Sequence, residues 1–236
     1  MRVLVKPGSW AAGKRGSLDP EEIHHLKVRR AKAGEKVEIL DGAGLRGSGI
    51  LVQAGREWMV EITTAELQPP PLALTLAVAA GDRDRFAWMV EKSVELGVTR
   101  IVPLESERTA GVATRLKPSH LEKLRRVSLE ATKQCGVAWA PQVENPVALR
   151  DFAGELLDGT GWLADQGGDP PPASLDRTGV KVIIGPEGGL TNAERELAVE
   201  HGFRPVAVGL HTLRFETAAL AAAAAITQAW MRGEHG

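Results

Sequence analysis

KVIIGPEGGLTNAERE, from Lys181 to Glu196, sets an apolar β-prone run before a glycine-rich turn and a helix start. Thr191 and Glu194 form T-x-x-E, a capping box that fixes where the helix begins. Strand, loop and helix in this order suit a ligand-binding turn of an α/β protein. Yet the loop has no Gly-Lys-Ser/Thr, so a Walker-type phosphate cradle is excluded. Glu187 would repel phosphate and suits a cationic ligand better. The glycines then let backbone approach that ligand closely. The alternative is a tight turn that binds nothing.

A second cluster, VGLHTLRFETA (208–218), also follows an apolar strand with a glycine and precedes a helix. In a parallel sheet both loops leave the carboxyl ends of their strands, where open α/β sheets bind ligands. The run GWLAD (161–165) ends at the same edge if it is parallel to them. Three loops would then share one pocket, holding glycine backbone, an arginine and two carboxylates. For Arg214 and Glu216 the alternative is a mutual or helix-terminal ion pair.

The surrounding sequence alternates strand and helix. LALTLAVAA (72–80) is continuously apolar, as for a strand buried on both faces. Helical spacing over 84–97 ends at Gly97, and TRIVPL (99–104) reads as a strand. Pro118 to Gln134 reads as a helix with a basic outer face. Helix 147–157, strand KVIIG (181–185), helix 192–201 capped by Gly202, strand PVAVG (205–209) and an Ala-rich helix over 216–230 follow. QGGDPPPAS (166–174) reads as a loop. This alternation predicts an α/β parallel sheet.

Residues 1–68 differ. MRVLV, KVEIL, GILVQ and WMVEITTA, separated by glycine-rich turns, predict an all-β region. GAGLRG (42–47) matches G-x-G-x-x-G, but a β-like run follows it, so Asp41-Gly42 reads as a hairpin turn. Pro69-Pro70-Pro71 fits neither helix nor central strand and marks the seam between two domains, 1–70 and 71–236.

Composition narrows the class. Apolar residues make up 43% and charged residues 25%, as in a globular protein with a proper core. One cysteine excludes an intrachain disulfide, and with no visible targeting motif the expected location is the cytoplasm. Cys135 reads as a buried structural thiol. His24-His25 lacks a ligand set at metal spacing, so no metal is expected. Net charge is −1, but nine of the Lys/Arg and only four of the Asp/Glu fall within residues 1–36. Such a basic stretch suits a phosphate-facing surface or simply a solvated one.

Taken with the order of the other motifs, IIGPEGGLTNAE and VGLHTLRFETA resemble the SPOUT class of S-adenosylmethionine-dependent RNA methyltransferases. The chain is most similar to the bacterial 16S ribosomal RNA uracil-N3-methyltransferase (RsmE) family. EKSVELGVTRIVPLESERT (91–109) is similar to that family's K-x-x-E-L-G-V-x-x-I-x-P-x-x-S-E-R segment. EATKQCG (130–136) with Pro141, and HHLKVRRAKAGEKVEILDG (24–42), extend the likeness over nearly the whole chain. Val137, His211, Thr212, Phe215 and Arg29 depart from the usual residues and bear on RNA contacts.

The resemblance implies a small PUA-like β-barrel for RNA binding, then an α/β domain with a C-terminal trefoil knot, assembled as a homodimer. It implies S-adenosyl-L-methionine as cofactor and 16S rRNA or the small ribosomal subunit as partner, with no membrane. Gly185, Glu187, Gly188, Gly189, Gly209 and Thr217 match the cofactor loops, and Ile184, Leu163, Val208, Leu210 and Leu213 are the expected walls. Arg214 is expected to stabilise charge on the base, with Glu187 or Glu216 as proton acceptor or as loop-fixing groups. Arg2, His24, Lys27 and Arg30 are expected to face RNA phosphates. Other readings are a SPOUT enzyme with a different target nucleotide, a non-catalytic RNA-binding adaptor, or an NAD- or ATP-dependent metabolic enzyme.

Overall fold

Alternation of inward residues builds the first β region, and a fully apolar strand anchors the second. The structure, a computed structural model, describes residues 1–8, 11–55, 57–79, 81–109 and 116–233. They form two compact units: Met1–Pro71 with Leu129–Ala140, and Leu72–Ser128 with Pro141–Gly236.

The first unit holds strands β1 (Arg2–Leu4), β2 (Arg15–Ser17), β3 (Lys36–Leu40), β4 (Leu45–Ala54) and β5 (Glu57–Leu67) in the order β1-β3-β4-β5-β2. β1 runs parallel to β3, and the other pairs are antiparallel. Along β5, Trp58, Val60 and Ile62 point inward to meet Val37, Ile39 and Leu51. The period of two thus produces the core. The Asp41 turn joins β3 to β4 as a hairpin, its Oδ1 accepting from the Ala43 and Leu45 amides at 2.7 and 2.9 Å.

The all-β expectation is corrected by α1 (Pro20–Val28). Pro20 stands in the first turn, where its missing N–H costs nothing, and Glu21 and Glu22 complement the helix N-terminus. Leu26 enters the core. Residues 129–140 also belong to this unit. Gly44 N donates to Ala138 O and Ala140 N to Gly42 O, both at 2.9 Å, and Trp139 Nε1 donates to Gln68 O at 3.2 Å.

In the second unit the strands are β6 (Leu74–Ala79), β7 (Arg100–Glu105), β8 (Gln142–Val143), β9 (Val147–Ala148), β10 (Thr160–Asp169), β11 (Val180–Ile184) and β12 (Phe203–Val206). The order is β12-β10-β11-β6-β7-β8, with β9 also on β7, and every pair is parallel. β6 is buried along its whole length, as its apolar run predicts. Leu74, Leu76 and Val78 meet α2 (Arg83–Glu95) and α6 (Phe215–Gly233) on one face. Ala77 and Ala79 meet α4 (Leu149–Ala153) and α5 (Asn192–Glu200) on the other. Ala219, Ala222 and Ala223 of α6 are completely buried, so small side chains bring this helix close to the sheet. The remaining helix, α3 (Pro118–Cys135), buries Leu121 and Leu124 in the second unit.

Several element bounds differ from expectation. The helix expected over 147–157 shrinks to α4, because Val147 and Ala148 pair with β7 and Gly154 caps the helix. β10 runs on through residues 166–169, part of the expected loop, because Asp169 pairs with Val206 past an irregularity. β12 lies at 203–206 rather than 205–209, which frees residues 207–209 for the next connection. Cys135 is exposed at the last residue of α3, which corrects the buried thiol.

Two contacts describe the C-terminal crossing. Ala207 N donates to Asp169 O at 2.8 Å, and Trp230 Nε1 of α6 donates to Asp176 O at 3.1 Å. The β12–α6 connection thus meets the far end of β10, while the β10–β11 connection lies along the C-terminal part of α6. Together with the strand order, this is consistent with a C-terminal trefoil knot.

Candidate active site

The order of strands reverses about β6 and β11: β7 and β8 lie to one side, β10 and β12 to the other. Beyond the carboxyl ends of β10, β11 and β12 the three loops singled out in the sequence converge on a cavity of about 290 Å³. Leu163, Ile184, Leu190, Val208, Leu213 and Phe215 give it an apolar wall; Gly185, Gly188, Gly189 and Gly209 bring backbone to its surface. Larger cavities among the described residues include one of about 510 Å³ beside Arg83 and His120, one of about 610 Å³ beside Glu22 and His25, and one of about 400 Å³ beside Glu107 and Ala193. None of these is lined by the three loops that follow β10, β11 and β12, so position rather than size selects the site.

The glycine loop is fixed from several sides. Gly189 closes a turn by donating to Pro186 O at 2.8 Å, with φ +71°, a conformation that favours glycine. Thr191 and Glu194 make the full capping box. Glu194 also accepts from the Glu107 amide at 2.8 Å. Beside Glu107, the Arg108 guanidinium donates to the carbonyls of Gly188 and Gly189. At Gly209 a Cβ would stand 2.8 Å from Leu213 Cδ1, so a larger residue there would push the Leu213 side chain out of its place in the cavity wall.

Charge in the pocket is largely balanced by local pairs. Asp165 pairs with Arg195 of α5, and Glu187 pairs with Arg85 of α2 at 3.0 Å. Thr212 Oγ1 donates to Gln166 Oε1 at 2.8 Å. Among the described residues that line the cavity there is no concentration of unpaired cations to hold a polyphosphate. An apolar wall, exposed loop backbone and two carboxylates suit a nucleoside that carries positive charge.

Of the expected cofactor residues, Leu163, Ile184, Gly185, Glu187, Gly188, Gly189, Val208, Gly209 and Leu213 all line this cavity. Leu210 does not: it is 92% exposed at the tip of its turn. Thr217 also lies outside the lining, on the exposed side of α6, because Phe215 and Ala218 are the residues of that turn that face inward. Arg214 is exposed between the lining residues Leu213 and Phe215 and has no side-chain partner among the described residues. Glu216 is buried behind them, 3.9 Å from Arg85 Nε.

Of the expected RNA-facing residues, His24 and Lys27 are exposed on α1 and Arg30 just beyond its end. Arg2 is committed elsewhere: it donates to Glu38 at 2.8 Å and to Gln134 O at 2.7 Å. Glu22, His25 and Glu130 approach one another closely enough to suggest a metal group, but the Lys133 ammonium pairs with both carboxylates. Sequence reasoning missed Arg85, Arg108, Asp165, Gln166 and Arg195. Asp165 and Gln166 had a usable signal, since they directly follow the apolar part of a strand leading to the site. The arginines act across 30 to 102 positions of sequence and had none.

Comparison with known proteins gives this arrangement a class. A family model described as an RNA methyltransferase domain matches residues 68–227, and one described as an RNA methyltransferase PUA domain matches residues 18–57. The chain belongs to this RNA methyltransferase family. Within it, the ribosomal RNA small subunit methyltransferase E of Synechocystis sp. is 34% identical over 224 residues, covering 89% of this chain and 72% of that protein. The protein of the same name from Aquifex aeolicus is 29% identical over 202 residues, covering 84% and 87%. Among solved structures, a ribosomal RNA small subunit methyltransferase E from Neisseria gonorrhoeae bound to S-adenosyl methionine matches with a TM-score of 0.82 at 28% identity, covering 97% of each chain. This chain is accordingly a member of the ribosomal RNA small subunit methyltransferase E family.

Proposed function

We propose that the protein transfers a methyl group from S-adenosyl-L-methionine to N3 of a uridine in 16S ribosomal RNA. The observation that carries this reading is the convergence of the three strand-end loops on one pocket with an apolar wall, glycine-loop backbone and no phosphate cradle among its lining residues. The solved relative from Neisseria gonorrhoeae bound to S-adenosyl methionine supports the donor. The family supports the substrate.

The donor fits the residues present. The glycine loops expose backbone, Leu163, Ile184, Val208 and Leu213 can enclose a base, and Glu187 tolerates a cation. When bound, S-adenosylmethionine supplies a methyl group already activated by its sulfonium centre. The protein's own task is to orient the target base and exclude water. Uracil N3 is hidden in a base pair, so the target must be unpaired or flipped out. Loss of its proton spreads negative charge to the flanking carbonyls. Arg214, exposed and uncommitted, is the donor for that charge. Glu187 and Glu216 are the candidate proton acceptors.

In this reading residues 1–70 form the RNA-holding domain and 71–236 the methyltransferase domain. His24, Lys27 and Arg30 hold phosphates, which position the RNA without reading its sequence. The protein works as a homodimer in the cytoplasm, on rRNA or the assembled small subunit. Among the described residues no helix is long and apolar enough to cross a membrane.

Calorimetry with S-adenosylmethionine, NAD and ATP tests the donor, and binding of the first alone is expected. Nucleoside mass spectrometry of 16S rRNA and of small subunits after incubation tests the product. Absence of N3-methyluridine from both substrates would overturn the reading.

A further inference from the structure

Beside the cavity stands an arginine so far given no part in binding the donor or stabilising the base. Arg85 stands in the first turn of α2 and faces two carboxylates brought from distant parts of the chain. Its Nη1 donates to Glu187 Oε1 at 3.0 Å, and its Nε lies 3.9 Å from Glu216 Oε1. These carboxylates differ in environment. Glu187 sits on the exposed glycine loop and is directly paired. Glu216 is only 7% exposed, and its Oε2 is buried with no hydrogen-bond partner among the described residues.

A buried polar atom without a partner costs about 1–3 kcal/mol, and more on a charged group. Such an atom points to a donor that arrives with a ligand. Among the described residues the surroundings supply no other candidate. β6 carries no ionisable side chain, Lys181 of β11 is tied to Glu155 at 3.0 Å, and Lys92 of α2 is tied to Glu91 and Glu95. Arg85 is the cation facing Glu216 from α2, while the first-turn amides of α6 add their positive field. The neighbouring residues Phe215 and Ala218 line the pocket, and so does Glu187, which shares Arg85.

We propose that Arg85 is a positioning residue that divides the work of the two carboxylates. It engages Glu187 and so secures the glycine loop. It also faces one side of Glu216, whose Oε2 is buried outside the cavity lining and is reached by the target pyrimidine only as that base seats, when it accepts the imide proton. In the transfer the N3–H bond breaks and its proton passes to Glu216 Oε2. The electron pair left on N3 forms the bond to the methyl carbon. The pair of the breaking carbon–sulfur bond stays on sulfur, which loses its positive charge. This inference rests on the methyl-transfer reading and deepens it.

The test compares Glu216→Gln, Arg85→Ala, Arg85→Lys and the double variant Arg85→Ala/Glu216→Gln. Melting temperature checks that each folds, calorimetry measures S-adenosylmethionine affinity, and single turnover on 16S rRNA at saturating donor measures transfer. Glu216→Gln, which preserves shape, is expected to slow transfer at least ~100-fold, the scale of a lost general base. Its affinity for the donor should stay within about threefold of wild type, while Arg85→Ala weakens that affinity through the released glycine loop. Arg85→Ala should also slow transfer at least ~10-fold, and Arg85→Lys should recover most of that loss. Added to Glu216→Gln, Arg85→Ala should slow transfer less than about twofold further, because residues acting as a unit are non-additive. Transfer by Glu216→Gln within about threefold of wild type would overturn the proposal, as would equal losses from Arg85→Ala in both backgrounds. Wild-type protein that binds the donor and methylates rRNA would in either case leave the reading of function standing; wild type that does neither would overturn both.

Discussion

Arg108 illustrates how a surface side chain sets the shape of a binding loop. Its guanidinium reaches from the turn after β7 to the carbonyls of Gly188 and Gly189. Those carbonyls belong to the loop that presents backbone to the cavity. Arg108→Ala should therefore weaken S-adenosylmethionine binding about tenfold, equivalent to about 1.4 kcal/mol. It should hardly alter the melting temperature, because Arg108 is exposed. Arg108→Lys should rescue poorly, since an ammonium lacks the planar fork. Calorimetry beside thermal melting checks both points, and equal affinity in Arg108→Ala would remove the residue from the loop's support. The glycines and the capping box were legible because each is a local conformational demand. Arg108 was not, because its partners lie about 80 residues away. The family resemblance made Leu210 an expected wall, but it is 92% exposed at its turn.

At the scale of elements, charge ties together the amino ends of the second sheet. Arg100 of β7 makes paired hydrogen bonds to Glu144 and Glu155, at 2.7 to 2.9 Å. Lys181 of β11 joins Glu155 at 3.0 Å. Both cations also lie over the Phe152 ring of α4, at 5.7 and 5.6 Å. Hydrogen bonding from Arg100, assisted by Lys181, holds the Glu155 carboxyl at about 2, against an ordinary 4.5. A carboxylate depressed on folding stabilises the native state above its unfolded pKa, and that contribution disappears as pH falls through the folded value. Stability should therefore drop between about pH 4.5 and about pH 2. Glu155→Gln should flatten that part of the curve. Urea titrations across this range check it, and parallel curves for the two proteins would contradict the assignment. This network also explains the short α4. The sequence suggested a helix through 157, but Gly154 ends it and Glu155 turns to Arg100. Periodicity detected the helix but could not see the ion pair beyond its end. β6 was read correctly because burial on both faces leaves a continuous apolar signature in one strand.

Across the whole molecule, uneven charge translates into a specific expectation for RNA binding. His24, Lys27 and Arg30 are exposed around the end of α1, while Arg2 is committed to Glu38 and Gln134. Lys27→Ala and Arg30→Ala should each weaken rRNA binding and reduce the salt slope by about one. Arg2→Ala should instead lower stability. Filter binding across a salt series checks this, and an unchanged slope in the first two variants would place the RNA surface elsewhere.

The division of the chain carries the final prediction. The triple proline was legible as a seam because its chemistry breaks regular structure. It did not reveal that residues 129–140 pack with the first unit, since α3 runs without a break through residue 129. Lys133 pairs with the buried Glu22, Trp139 caps the Gln68 and Pro69 carbonyls, and Ala138 O accepts from Gly44 N. A fragment of residues 1–71 would leave the Glu22 carboxylate without that cation and Gly44 N without its acceptor. Losing one partner of a buried ion pair costs about 3–5 kcal/mol, comparable to the whole stability of a small domain. Residues 1–71 alone should thus unfold without a sharp transition, whereas the same fragment linked to residues 129–140 should melt cooperatively. Circular dichroism of the two fragments decides the matter: a sharp transition for 1–71 alone would mean that the first unit ends at the prolines after all.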